Sequence, residues 1–155
     1  MNRAIEGFHQ DDEGEWVAEL SCLHAQHVRH QPPFFDRPWV LTDSGREEHL
    51  GAELDCPLCD RAELPPGLVT TRTAGPFDAS SLPAGLRRQH RVPEHTWGLL
   101  QVLEGTAEFT MATQPLTTVR LRAGDTQAIP PEVDHSVHLD GPVRLQVDFL
   151  GAAAE

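Results

Sequence analysis

Cys22-Leu23-His24-Ala25-Gln26-His27, read together with Cys56-Pro57-Leu58-Cys59, decides how this chain is built, because the two stretches hold all three of its cysteines. A C-x-H pair and a C-x-x-C pair about 30 residues apart have the spacing of the two halves of a tetrahedral zinc site. Three thiolates and one imidazole make four ligands and leave no thiol over. A closed shell of sulfur and nitrogen has no open position for substrate, so the expected zinc on Cys22, His24, Cys56 and Cys59 is structural. His27 lies within reach of the same turn. His24 is preferred because C-x-H places both side chains on one side of an extended chain.

Working outward, the clustering of ligands favours two small domains in the 155 residues. We expect a zinc-binding, β-rich domain over residues 1–61, a proline-rich linker at 62–67, and a second domain over 68–151. About 60 residues bury little apolar surface, so a structural metal would compensate for a thin core. Arg3 to Gln10 reads as a strand, Asp11 to Gly14 as a turn and Glu15 to Ser21 as the returning strand that delivers Cys22. His24 to His30 suggests a third strand. Ser44 to Leu50 reads as a short helix capped by Ser44 and ended by Gly51.

From Leu68 the pattern changes to short β runs separated by Gly and Pro. The expected strands are 68–74, 82–90, 96–103, 107–113, 117–122, 126–129, 136–139 and 144–150, with no helix. So many strands at this spacing predict a sandwich or barrel. The fold class is therefore mainly β throughout.

Gly124-Asp125, Pro130 and His135 keep the outline of the second cupin motif, with Glu132 where a second glycine is usual. Gly85, His90, His95 and Val102-Leu103-Glu104-Gly105 outline the first motif, without its tight H-x-H pair and with Gly98 in the usual glutamate position. With Phe77-Asp78, Leu82-Pro83, Leu86 to His90, Thr96-Trp97-Gly98, Pro130-Pro131 and Arg144 to Phe149, residues 68–150 resemble the small cupin family of tellurite-resistance proteins. That family also includes free-standing stress-induced proteins. The resemblance implies a double-stranded β-helix barrel. It further implies a second divalent metal in that barrel, held by His90, His135 and one or both of Glu94 and His95. The alternative is an empty barrel in which both histidines are hydrogen-bonded core residues. Alternation places Arg88 on the face of Leu86 and His90, toward the same cavity or at its mouth. Nothing resembles a methyltransferase, since there is no βαβ pattern or Gly-rich loop.

Gly7-Phe8-His9, Trp16 to Leu20, Gln26 to His30, Pro32-Pro33, Arg37 to Val40 and Gly45-Arg46 resemble a small bacterial domain of unknown function over residues 1–61. That resemblance implies no activity.

The net charge of −12 disfavours nucleic acid, which needs a basic stripe. Residues 1–63 carry 14 acids and 5 arginines, and the remainder 10 acids and 7 arginines. No apolar run approaches the length of a membrane span, and an odd cysteine count argues against a secreted disulfide scaffold. We therefore expect a soluble, cytoplasmic protein with no membrane partner and a small-molecule or oxyanion ligand. A homodimer is compatible with the sequence. The expected function is a metal- or small-anion-binding accessory or sensor protein, by resemblance in the tellurite or oxyanion response. The rivals are a cupin oxygenase or isomerase using the barrel metal, and an adaptor whose acidic N-terminal domain binds a protein partner.

Overall fold

Alternation builds the first strand: in β1 (Asn2–Gln10) Arg3 and Ile5 are buried while Asn2 and Glu6 face solvent. At its end Asp11 Oδ1 accepts from the amides of Glu13 and Glu15, both at 2.9 Å, and turns the chain back. β2 (Trp16–Leu20) pairs with β1, and β3 (Ala25–His27) with β2. The computed structural model describes residues 1–154. The chain divides into two units, Met1–Pro57 and Leu58 onward.

The first unit is an antiparallel sheet of order β3-β2-β1-β4, where β4 (Glu53–Asp55) pairs Leu54 with Arg3. A strand of three residues is too short to leave an alternation signal, and sequence reading missed it. The expected helix is present as α1 (Asp43–Glu48), but Thr42, not Ser44, caps it. Thr42 is extended and its hydroxyl accepts from the Gly45 amide at 3.0 Å, while Asp43 supplies the favourable acid in the first turn. The core is small: Ile5, Val17, Ala18, Leu20, Val28 and Val40. Around it Trp39 stacks on His49 at 3.8 Å, and Arg46 lies over Trp16 at 3.7 Å while donating to the Val40 carbonyl.

The second unit contains β5 (Leu68–Asp78), β6 (Trp97–Met111), β7 (Thr117–Arg122), β8 (Thr126–Ile129), β9 (His135–His138) and β10 (Val143–Ala152). Residues 97–105 of β6 pair with β10 on one side, and residues 98–101 pair with β8 on the other; β5 lies beyond β10. Residues 106–111 pair with β7, and 108–111 with β9. One long strand thus belongs to two sheets, which close on a shared core of Trp97, Leu100, Val102, Phe109, Met111 and Leu145. This is the double-stranded β-helix of a cupin.

Two expectations are corrected here. The separate strands at 96–103 and 107–113 are one strand, because Gly105 (φ 77°) swivels the chain from sheet to sheet instead of ending it. Residues 82–90 are not a strand. Asp78 accepts from the amides of Ser80 and Ser81, Pro83 follows, and Ala84–Arg87 form a single 3-10 turn. Among the described residues, no helix is long and apolar enough to cross a membrane.

Candidate functional site

Leu20 and His24 close the turn between β2 and β3, with the Leu20 amide donating to the His24 carbonyl and the Leu23 amide to that of Leu20. Leu23 takes φ 71°, a conformation costly for a leucine, so that Cys22 and His24 face the same way. Cys56 follows β4, and α2 (Pro57–Asp60) turns Cys59 back toward it. Proline at the first helical position suits this, since its missing amide proton would have had no partner.

The donor atoms of Cys22, His24, Cys56 and Cys59 all lie within 4.8 Å of one another, and all four side chains are buried. Nδ1 of His24 is 3.4 Å from each of the Cys22 and Cys56 sulfurs, which are 3.9 Å apart. A tetrahedral shell with zinc's bond lengths has edges of about 3.8 Å between sulfurs and about 3.5 Å between sulfur and nitrogen. No disulfide joins these cysteines. Burial alone would push the His24 imidazole down. The sulfurs of Cys22 and Cys56 outweigh burial and raise its pKa from 6.5 to about 10. A nitrogen in so negative a pocket holds a proton or a cation tightly. The residues present therefore fit a metal ion. His27 is outside the cluster, with Nε2 on Asp11 at 2.7 Å.

In the second unit His90 and His135 form an isolated antiparallel bridge, each amide donating to the other's carbonyl at 2.9 and 3.0 Å. Their rings lie edge to face with centroids 5.5 Å apart. Both line a cavity of about 340 Å³, whose wall includes Phe77, Val92, Ile129, Val147 and Phe149, with Arg72 at its exposed edge. His135 is buried and donates from Nδ1 to the Val133 carbonyl at 3.1 Å. Burial pushes its pKa down, with a further push from the neighbouring His90 ring.

The expected partners Glu94 and His95 do not join them. Both are exposed, neither lines the cavity, and no group of three His, Cys, Asp or Glu donors includes His90 or His135 among the described residues. The cause is local. Val92 takes the inward position two residues after His90, and the chain then turns at Pro93–Thr96 with His95 at φ 60°. Gly98 offers no donor, and a Cβ there would meet Ile129 and Val92 at 3.3 Å.

The two histidines differ as ligand candidates. His135 has the carbonyl partner that a metal-bound imidazole normally keeps on its other nitrogen; Nδ1 of His90 is buried with no hydrogen bond. Binding a metal through Nε2 would leave a buried N–H of His90 orphaned. This pair, in an apolar wall without a third ligand, does not fit a barrel metal.

Arg88 lines a neighbouring hollow with Gln89, Thr110 and Asp134, because the 3-10 turn breaks the expected alternation. The cavity arginine is Arg72, which motif reading overlooked. Its signal was its place in the strand opposite Phe149, over whose ring its guanidinium lies at 4.2 Å.

The chain thus joins a β module bearing a buried Cys3His cluster to a cupin barrel. Residues 6–63 match the family model described as a protein of unknown function (DUF3565), and residues 72–147 match that of the TehB-like domain. Both resemblances read from the sequence hold. No curated protein matches the chain. Among solved structures, a protein from E.coli (strain K12) is similar over 59% of this chain and 97% of that one, with 20% identity and a TM-score of 0.52. TehB from Haemophilus influenzae is similar over 56% of this chain at 18% identity and a TM-score of 0.51, but the match spans only 32% of that protein. At these identities the likeness is one of fold.

Proposed function

We propose that this chain is an accessory binding protein in which a structural zinc, held by Cys22, His24, Cys56 and Cys59, folds the N-terminal module of residues 1–60, while the barrel takes an anionic small ligand. The observation that carries this reading is the barrel cavity itself: two imidazoles and an arginine converge on it without a third metal ligand. Arg72 has no ion-pair partner among the described residues, in a chain with twice as many acids as arginines. The tellurite or oxyanion stress role is proposed from the family resemblance read in residues 68–150, with which the TehB-like match over residues 72–147 is consistent. The rival enzyme reading requires a barrel metal with an open position, and the donor set argues against it.

Metal analysis of protein purified without a tag, with titration of tellurite by calorimetry, tests this. We expect one zinc per chain, unchanged in the His90→Ala/His135→Ala double variant, and anion binding that this variant weakens. A second equivalent of metal lost in the double variant would support the enzyme reading instead.

A further inference from the structure

A cavity of about 340 Å³ has room for about eleven waters at ~30 Å³ each. A free oxyanion of four heavy atoms would fill a small part of it and would exchange most of its hydration shell for carbon, an unfavourable transfer. Volume and lining together call for a ligand with a carbon body. We propose that the barrel binds an organic monocarboxylate of about ten non-hydrogen atoms, its apolar body among Phe77, Val92, Ile129 and Phe149 and its carboxylate on Arg72. The inference rests on the anion-binding reading above and narrows it to one chemical class.

Charge and position divide the roles. Arg72 is exposed at the edge of the cavity, on the outermost strand of its sheet, so a carboxylate there keeps part of its hydration. The guanidinium carbon lies 4.2 Å over the Phe149 ring, a cation–π contact that restrains the side chain while a guanidinium can still offer two N–H groups to one carboxylate. The imidazoles lie where a charge would not settle. Nδ1 of His135 is committed to Val133 and Nδ1 of His90 is buried, so each ring has only Nε2 to offer. An orphaned acceptor costs less than an orphaned donor, which puts the His90 proton on Nε2. The pair then presents one donor and one acceptor, suited to a neutral polar substituent on the ligand's body.

The test uses the zinc-loaded full chain and four probes in calorimetric titration: 3-phenylpropanoate, its neutral amide, acetate and tellurite. We expect 3-phenylpropanoate to bind at least about tenfold more tightly than the amide, which lacks the charge, and than acetate, which lacks the body. Arg72→Gln should abolish the preference for acid over amide, and Arg72→Lys should keep part of it. Acid and amide binding equally to the unmutated protein would overturn the inference, as would an Arg72→Gln protein that binds the acid normally. Tellurite binding without organic-acid binding would overturn it and leave the anion reading standing. Failure of all four probes would end both.

Discussion

His135 spends its Nδ1 proton on the Val133 carbonyl and is buried beside a second imidazole, so the folded barrel favours its neutral form. In the unfolded chain it titrates near 6.5. A histidine whose folded pKa is depressed binds fewer protons folded than unfolded once pH falls through 6.5. Stability from this group is therefore present above that value and lost below it. We expect the urea midpoint of the barrel to be level above about pH 7 and to fall on acidification toward pH 5. Asparagine at 135 keeps an N–H for Val133 and should flatten that fall; equal slopes in the two proteins would show that the imidazole is not the cause. At Cys56 the effect should be far larger. Structural zinc contributes on the order of 10 kcal/mol, more than so small a core holds in reserve. Cys56→Ala should lose one zinc equivalent and amide protection across residues 1–60. Full zinc and normal protection in that variant would refute the assignment.

Among the elements, β6 carries the barrel because it serves both sheets, and its swivel rests on one residue. Gly105 has φ 77°, and a Cβ there would collide with the Pro142 carbonyl oxygen. Gly105→Ala should therefore destabilise the barrel by about 2 kcal/mol or more, read as a lowered urea midpoint with unchanged zinc content. A change of only a few tenths would mean the swivel can be made elsewhere. The same glycine marks where sequence reading of this fold ran short. Strands such as β1, β7 and β10 were legible because their more buried and more exposed residues largely alternate. Gly105 read as a boundary because glycine marks swivels and turns alike. Residues 82–90 looked like a strand although Asp78, Pro83 and Gly85 favour a turn. The buried Cys3His cluster was legible because its residues lie in close-spaced pairs. The cavity was legible only at His90 and His135, since Arg72 reaches it through pairing with a strand more than seventy residues away.

At the scale of the whole molecule, the two units draw on different sources of stability. The first has six buried aliphatic or alanine side chains outside its cysteine cluster, together with stacked and cation–π contacts at its rim. The second buries Trp97, Phe109, Met111 and a larger set of branched residues between its sheets, enough for a domain of roughly 90 residues to fold without metal. Zinc bound to the folded form alone is folding free energy for the segment that carries its ligands, residues 22–59. Chelation should therefore unfold the N-terminal module and leave the barrel folded, a departure from two-state behaviour that hydrogen exchange resolves. Adding a strong chelator at neutral pH should deprotect peptides from residues 1–60 within the time that zinc is released. Peptides from β6 and β10 should keep their protection, and titration of the anion into the chelated protein should give the affinity of the zinc-loaded form. If the β6 and β10 peptides lose protection along with the first unit, the barrel depends on the zinc module for its stability and the two folds are not independent.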